Sequence, residues 1–198
     1  MAVTLETLQG ADLLDHLDAL ADLRMTVFRD FPYLYDGNAD YERQYLRTYA
    51  RSAGSICVIA RDGERIVGAS TGIPMADEDD AFRQPFVDAG WNPDDIFYYG
   101  ESVLLGDYRG QGLGVAFFDE RERHAREAGF RQAVFCAVVR PQDHPARPAD
   151  YGPLDAFWQR RGYYPVPGLE TRYTWTDIGD PGPTEKPMQF WYKALQGS

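Results

Sequence analysis

The sequence predicts an α+β fold in which helices cover both faces of one mixed β-sheet. One observation is the order of elements, β-α-α-β-β-β-α-β-α-β-β, which follows from the spacing of apolar residues. Another is the run QAVFCAVVR at 132–140, whose nearly unbroken apolar character is typical of a strand covered on both faces. A chain of 198 residues with 44% apolar residues suits one domain, 1–198, with a sizeable core.

The first half of the chain contains two predicted helices between strands. VTLETL at 3–8 predicts a strand, and leucines at helical spacing predict a helix over 11–30. The turn FPYLYDGN leads into a second helix over 39–52, in which a tyrosine recurs every fourth residue. SICVIARDGERIVGAST at 55–71 predicts a β-hairpin around Asp62-Gly63.

The second half alternates strands and helices. Residues 74–95 are acidic and irregular, with room for one short helix. Strands are predicted at 96–105, 132–140, 169–178 and 186–195, and helices in the segment 108–130 and at 154–162.

Composition and charge limit the possible partners. A net charge of −11 argues against a general nucleic-acid binder, which needs a basic face. No apolar run is long enough to span a membrane and the N-terminus lacks a signal-peptide pattern, so we expect a cytoplasmic location. Cys57 and Cys136 lie in apolar runs and are expected to be buried thiols. Three scattered histidines give no metal-ligand spacing, so no metal is expected.

Three glycines, Gly110, Gly112 and Gly114, stand at the start of a predicted helix, although glycine is a poor helix former. A helix N-terminus carries unpartnered N–H groups and partial positive charge, and glycines let a ligand approach that backbone closely. The pattern therefore predicts an anion cradle rather than an ordinary tight turn. Its spacing fits neither the dinucleotide fingerprint nor a P-loop.

The stretch RGQGLG at 109–114 resembles the (Gln/Arg)-x-x-Gly-x-(Gly/Ala) signature of the GCN5-related N-acetyltransferase (GNAT) family. VLLGDYRG before it resembles that family's V-x-P-x-Y-R-G, and RRGYYPV resembles its aliphatic-Gly-Phe element. The resemblance implies a GNAT-like sheet with a splayed central pair of strands. It also implies acetyl-CoA as the cofactor and direct attack of an amine on the acetyl thioester.

The resemblance assigns the cofactor-binding residues. Backbone amides of the loop would take the pyrophosphate, and the end of the preceding strand would pair with the pantetheine arm. The loop consists of Arg109, Gly110, Gln111, Gly112, Leu113 and Gly114, and the strand end consists of Val103, Leu104 and Leu105.

Two catalytic residues are expected. Glu101 is the candidate base, because a carboxylate within a strand is costly unless it is used or paired. The alternative is a structural pair with Arg121, which falls in the apolar stripe of the next helix. Where the family often places a tyrosine as the acid, this chain has Trp158. The acid role then passes to Tyr151, Tyr163 or water. We take Tyr151, whose alternative role is to anchor its loop.

Two loops are expected to shape the acceptor pocket. The segment 28–37 is rich in aromatic rings that could stack on an amine, and the proline-rich segment 140–152 is stiff and polar. The candidates are Phe31, Tyr33, Tyr35, Asp143, His144 and Asp150, and plain packing is the alternative for the rings.

The sequence therefore favours an acetyl-CoA-dependent N-acetyltransferase that acts on a small-molecule or peptide amine, as a monomer or a homodimer. A second possibility keeps the fold and changes the acyl group or uses a hydroxyl acceptor. The missing tyrosine favours a third, a CoA-binding sensor or accessory protein without catalysis.

Overall fold

The structure, a computed structural model, describes residues 3–195. Its strands are β1 (Thr4–Leu8), β2 (Ile56–Asp62), β3 (Arg65–Pro74), β4 (Ile96–Tyr98), β5 (Ser102–Leu104), β6 (Gln132–Val138), β7 (Tyr164–Trp175) and β8 (Thr184–Ala194). Its helices are α1 (Leu17–Phe28), α2 (Ala39–Arg51), α3 (Asp80–Asp88), α4 (Leu113–Glu127) and α5 (Asp155–Arg160).

The eight strands form one mixed sheet in the order β1-β2-β3-β4-β6-β8-β7, and β5 pairs with β3. The pair β4–β6 is parallel and the other pairs are antiparallel. The chain therefore has the mixed sheet that the sequence predicts.

Alternate residues of the central strands enter two separate cores. In β2, Cys57 and Ile59 pack with α1, α2 and α3, whereas Ile56 and Val58 pack with α4. A strand with apolar residues on both faces needs helices on both faces, and this confirms the predicted layering.

Several element boundaries differ from the predictions. The first helix begins as a 3-10 turn over Gly10–His16 and becomes α-helical at Leu17. The irregular acidic segment contains the one short helix expected of it, α3, between two 3-10 turns. Strand β7 begins earlier than predicted, at Tyr164.

Residues 96–105, predicted as one strand, form two short strands instead. Ile73 of β3 pairs with Tyr98 of β4, and Ser70 of β3 pairs with Ser102 of β5. Between these pairs β3 has two residues, 71 and 72, whereas the opposite chain has three, 99–101. The extra residue makes a β-bulge, and we call residues 99–101 the bulge.

Pairing with β3 continues through the bulge. Gly100 N–H donates to the carbonyl oxygen of Thr71 at 3.2 Å, and Thr71 N–H donates to that of Glu101 at 3.1 Å. One residue of β3 thus bonds two residues of the bulge, so the strand bends without leaving its neighbour.

The bulge changes the face of the sheet that Glu101 meets. Tyr99 points to the α4 face, where its ring packs against Phe118. In a regular strand Glu101, two residues further on, would share that face. With the extra residue its carboxylate lies on the opposite face, beside Arg24 of α1.

No helix in the described range 3–195 is long and apolar enough to cross a membrane. Cys57 and Cys136 are both buried free thiols, as predicted from their apolar surroundings.

Candidate functional site

A cleft of about 1320 Å³ opens where β5 and β6 separate. It is bordered by the bulge, the loop 109–114, the first turns of α4, the end of β6 and the loop 141–153. Its size exceeds the roughly 300–1,000 Å³ of common small-molecule sites and suits a large, extended ligand.

The glycine loop has the backbone that an anion cradle requires. Gly110 and Gly112 have φ angles of +75° and +84°, which side-chain-bearing residues rarely adopt, and no non-neighbouring atom of the described chain lies within 4 Å of where a Cβ would be. Gly112 caps the N-terminus of α4, whose first turn holds no acidic residue. The positive end of the helix dipole is therefore not opposed by a carboxylate in its own first turn.

The remaining loop residues support this backbone. Arg109 borders the cleft and its Nε donates to the carbonyl oxygen of Leu104 at 3.2 Å. The side-chain amide of Gln111 donates to the carbonyl oxygen of Asp107 at 2.9 Å, which fixes the loop's shape. Leu113 is half-buried and packs against the core on the α4 side of the sheet.

The strand before the loop contributes mostly backbone. The side chain of Leu104 lines the cleft. Val103 is completely buried in the core on the α1 and α2 side of the sheet, and Leu105 packs against the cores on both sides of the sheet. Among the predicted cofactor residues on this strand, the side chain of Leu104 is therefore the one that reaches the cleft within the described chain.

The sheet is splayed at the bulge, as the resemblance implied. Tyr99 N–H still donates to the carbonyl oxygen of Val134 in β6, at 2.8 Å. Beyond that bond β5 pairs with β3 and β6 pairs with β8, so their facing edges diverge around the cleft. Diverging strand edges present backbone donors and acceptors to an extended amide-bearing ligand.

A smaller cavity of about 100 Å³ lies on the other side of the bulge. Its wall is mostly aromatic, and the aromatic residues in it are Phe28, Tyr33, Tyr35, Tyr41, Tyr45, Phe82, Tyr98, Tyr173 and Trp175. Gly100 and Glu101 line both this aromatic pocket and the large cleft, as do Phe28, Tyr33 and Cys136. The bulge therefore lies where the two cavities meet.

Glu101 is held by a buried ion pair. Arg24 Nη1 lies 2.6 Å from Glu101 Oε2, and Arg24 Nε pairs with Glu42 on α2. Tyr45 donates its hydroxyl to the same Oε2 at 3.1 Å. Burial alone would lower the pKa of Arg24, but Glu101, Tyr45 and Glu42 raise it well above its usual value.

The alternative weighed for Glu101, a pair with an arginine, is present in the structure, but the partner of the carboxylate is Arg24 and not Arg121. Arg121 is completely buried and donates to the carbonyl oxygens of Thr71 and Glu101, at 3.2 and 3.1 Å, and to Ser102 Oγ at 2.8 Å. Its guanidinium lies 4.2 Å above the Tyr99 ring. The pairing differs because the bulge turns the Glu101 side chain away from α4 and leaves its carbonyl on that side.

The candidates for the acid occupy different places. Tyr163 is completely buried and donates to Glu122 at 2.9 Å, and burial raises its pKa far above the usual value. Trp158 lines the cleft and packs edge-on against Trp191. Tyr151 also lines the cleft, and burial raises its pKa, which keeps the phenol protonated at neutral pH.

The six acceptor candidates are divided among three locations. Tyr35 lines the aromatic pocket, and Tyr33 lines both that pocket and the large cleft. Phe31 and Asp150 line the large cleft. Asp143 and His144 lie outside both cavities in the described chain.

The proline-rich loop is joined to the linker between α1 and α2. The Phe31 ring lies 4.7 Å from the Tyr151 ring and 5.7 Å from that of His144. Arg147 lies 4.8 Å above the Tyr151 ring. Ring packing therefore holds this loop against the large cleft. Tyr151 also anchors its loop, which is the alternative role considered for it.

The position of Tyr33 is fixed by a residue that the sequence analysis passed over. Arg140, at the end of β6, donates to the carbonyl oxygens of Pro32 and Tyr33, both at 2.8 Å. It also pairs with Asp177 at 2.8 Å. This bridge holds the α1–α2 linker against the sheet.

The sequence analysis also missed most of a buried polar cluster, which we define as Arg24, Glu42, Tyr45, Tyr49, Glu78 and Glu101. A signal was present, because Arg24 interrupts the leucine stripe of the first helix. Tyr45 and Tyr49 likewise lie four residues apart on one face of the second. Neither pattern shows which residue of the sheet they meet.

Residues 17–163 match the Acetyltransferase (GNAT) family, and the chain belongs to that family. This confirms the resemblance first seen in RGQGLG. Acetyltransferases of this family use acetyl-CoA, which is therefore the cofactor of this chain. The open glycine backbone, the unopposed helix N-terminus and the diverging strand edges fit such a group. No curated protein matches the chain.

Solved structures show the same fold at low identity. A ribosomal-protein-alanine N-acetyltransferase from Brucella melitensis is 13% identical with a TM-score of 0.62, covering 96% of this chain and 99% of its own. A proposed acetyltransferase from Salmonella typhimurium, solved with its cofactor acetyl-CoA, is 11% identical with a TM-score of 0.60, covering 100% and 96%. An aminoglycoside 6'-acetyltransferase type Ii is 15% identical with a TM-score of 0.58, covering 100% and 99%.

The buried ion pair makes a testable prediction about stability. Arg24→Met leaves the carboxylates of Glu42 and Glu101 without their cation, so we expect a loss of about 3–5 kcal/mol at neutral pH. Urea unfolding at neutral pH measures the loss.

The matched control is Arg43→Met, which removes an arginine that pairs with Asp18 and Asp40 at the surface. That change should cost no more than about 1 kcal/mol. Equal losses of unfolding free energy in the two variants would contradict this prediction, because the buried ion pair would then stabilise the fold no more than a surface pair does.

Proposed function

We propose that the protein transfers the acetyl group of acetyl-CoA to an amine by direct attack, with Glu101 accepting a proton from that amine. One observation carries the proposal: Glu101 stands in the bulge where the cofactor cleft meets the aromatic pocket. A general base must lie within hydrogen-bond reach of the proton that it takes, and a carboxyl group at the junction of the two cavities supports this assignment.

In this proposal the glycine loop and the first turn of α4 hold the pyrophosphate through backbone amides of residues 110–114. The facing edges of β5 and β6 hold the amide-bearing arm, and the side chain of Leu104 packs beside it. When bound, acetyl-CoA supplies an acetyl thioester whose carbonyl carbon is open to a neutral amine. The chain's own part is to align the arm with the bulge.

The charges around the aromatic pocket favour a cationic acceptor. Glu42 and Glu101 carry two negative charges against the single positive charge of Arg24, so the pocket retains a negative excess. Tyrosine faces attract an ammonium group. Glu101 would then take the ammonium's proton and free its lone pair for attack.

The size of the aromatic pocket restricts the part of the acceptor that enters it. A cavity of about 100 Å³ suits an aminoalkyl end group rather than a whole sugar or peptide. The acceptor is therefore a small amine, or a larger molecule or peptide that presents a slender amine. Tyr33 and Tyr35, which the sequence predicts as acceptor-site residues, line this pocket.

Tyr151 is the proposed proton donor to the leaving thiolate. It lines the cofactor cleft and its raised pKa keeps its proton at neutral pH. The hydrogen bond from Tyr163 to Glu122 leaves Tyr151 as the better placed of the two tyrosines considered for this role.

A second function is favoured by the absence of the tyrosine that the family often uses as the acid. With Trp158 in the place where the family often has tyrosine, the chain also suits an acetyl-CoA-binding sensor that performs no transfer. A mass-spectrometric screen of amines incubated with the protein and acetyl-CoA separates the two functions, because a sensor yields no acetylated product.

The cofactor cradle is tested by Gly112→Asp. An aspartate there places a side chain and a negative charge where the phosphates would bind, so we expect acetyl-CoA to stop raising the melting temperature. Wild type should gain about 2.7 kcal/mol at a cofactor concentration near 100 times Kd.

Gly90→Asp is the matched control for this test. Gly90 also has a positive φ, +79°, and open space at the Cβ position, but it lies outside the cleft lining in the described chain. Its variant should lose stability through backbone strain and still respond to acetyl-CoA. A normal response in Gly112→Asp would remove the cradle from the proposal.

The base is tested by Glu101→Gln, which keeps the shape of the side chain and removes the proton acceptor. We expect kcat to fall by about 10²- to 10⁴-fold, with acetyl-CoA affinity nearly intact. Stopped-flow or coupled assays with an acceptor found in the amine screen measure kcat.

Glu42→Gln is the comparison, since Glu42 is the other carboxylate paired with Arg24. The loss of kcat should be at least about tenfold larger in Glu101→Gln. The reverse order would assign the base to Glu42, and equal small losses that follow the folded fraction would leave Glu101 a structural role.

A further inference from the structure

The cluster around Glu101 continues as an unbroken chain of oxygen atoms. The Tyr45 hydroxyl is 3.1 Å from Glu101 Oε2 and 2.9 Å from the Tyr49 hydroxyl. The Tyr49 hydroxyl lies 3.1 Å from Oε2 of Glu78, which follows the 3-10 turn Met75–Asp77. Three contacts therefore connect the bulge to a second carboxyl group.

The fold makes room for this chain. Tyr49 is completely buried, and Glu78 and Glu101 are 5% and 8% exposed. A Cβ on Gly100 would lie 1.9 Å from the Tyr49 hydroxyl. Because no side chain fits there, the glycine of the bulge leaves space for the hydroxyl that links the two carboxyl groups.

The chain has fewer protons than contacts when both carboxyl groups are ionised. Each tyrosine hydroxyl carries one proton, so two protons serve three oxygen–oxygen contacts. One contact is then left with two facing lone pairs. A single additional proton, on either carboxyl group, gives every contact a donor and an acceptor.

The extra proton is best accommodated at Glu78. Glu101 already has a cationic partner, because Arg24 Nη1 lies 2.6 Å from its Oε2. Burial raises the pKa of Glu78 to about 7, although hydrogen bonds from Asp79 N–H and Tyr49 oppose the shift. The titratable groups that face Glu78 from the packed elements are Tyr45, Tyr49, Asp79, Tyr98, Glu101, Cys136 and Tyr173.

Resting on the function proposed above, we propose that Tyr45 and Tyr49 pass the proton that Glu101 receives from the acceptor on to Glu78. Glu101 O–H gives its proton to the Tyr45 oxygen, Tyr45 gives its own to Tyr49, and Tyr49 gives its own to Glu78 Oε2. Three O–H bonds break and three form. The negative charge returns to Glu101 beside Arg24, ready for another acceptor.

The path is tested first in the free protein by NMR, with ¹³C labels in glutamate and tyrosine side chains. Between about pH 5 and about pH 9 the Glu78 carboxyl signal should titrate near pH 7. The Tyr45 ring carbon that bears oxygen should shift with the same midpoint, because its hydrogen bond is reorganised when the extra proton is lost. Tyr49→Phe should abolish that shift at Tyr45.

Tyr98→Phe is the matched control. It deletes another buried hydroxyl, 3.1 Å from Cys136 Sγ and outside the chain of contacts, so Tyr45 should still follow Glu78. If Tyr49→Phe does not fold, Glu78→Gln removes the titrating group and should abolish the same shift. If the Tyr45 signal of the wild type does not change with pH around the midpoint of the Glu78 titration, the proposed path is wrong.

Kinetics test its use in transfer. In wild type kcat should rise through about pH 7, because Glu78 must be ionised to receive the proton. Tyr49→Phe and Glu78→Gln should each lower kcat about tenfold and remove this rise. A merely structural role would lower stability and leave the pH dependence of kcat unmoved, and that result would overturn the relay.

Failure of the proposed function has a different signature. If Glu101→Gln keeps full kcat while the Tyr45 signal still follows Glu78, the base assignment is wrong and the chain of contacts stands without a role in transfer. The NMR arm needs neither cofactor nor acceptor, so the two failures are distinguishable.

Discussion

Two buried arginines hold the bulge at residues 99–101 from opposite faces of the sheet. Arg121 of α4 donates to the carbonyl oxygens of Thr71 and Glu101, and Arg24 of α1 pairs with the Glu101 carboxylate. These two carbonyl oxygens already accept strand hydrogen bonds from Gly100 N–H and Thr71 N–H, and the guanidinium of Arg121 gives each of them a second donor. The arginines thus stabilise both the break in the strand and the direction in which Glu101 points.

The rest of the site follows from that break. Beyond Tyr99 the chain stays with β3 and separates from β6, which opens the cofactor cleft on one side of the bulge. The inverted side-chain direction brings Glu101 against α1 and α2, where the aromatic pocket lies. One extra residue therefore connects two cavities that a regular strand would keep on opposite faces. The glycine loop contributes a second, independent feature, because its positive φ angles depend only on local sequence.

Features with a local cause were predictable from the sequence. The glycine turn, the helix after it and the covered strand 132–138 each have a short-range pattern, and the structure contains all three. The bulge has no such pattern, since it depends on how many residues face each other across two strands. For that reason the sequence identifies Glu101 but suggests Arg121, and not Arg24, as the arginine that could pair with its carboxylate. The acceptor loops show the same limit, because Tyr33 reaches the aromatic pocket through a bridge to Arg140 that lies more than 100 residues away in sequence.

A crystal structure with bound CoA tests the central claim most directly, namely that the bulge is the meeting point of cofactor and acceptor. The account predicts pyrophosphate density against the amides of residues 110–114 and the thiol beside Gly100 and Glu101, facing the aromatic pocket. CoA bound outside the cleft, or a thiol directed away from the bulge, would contradict it.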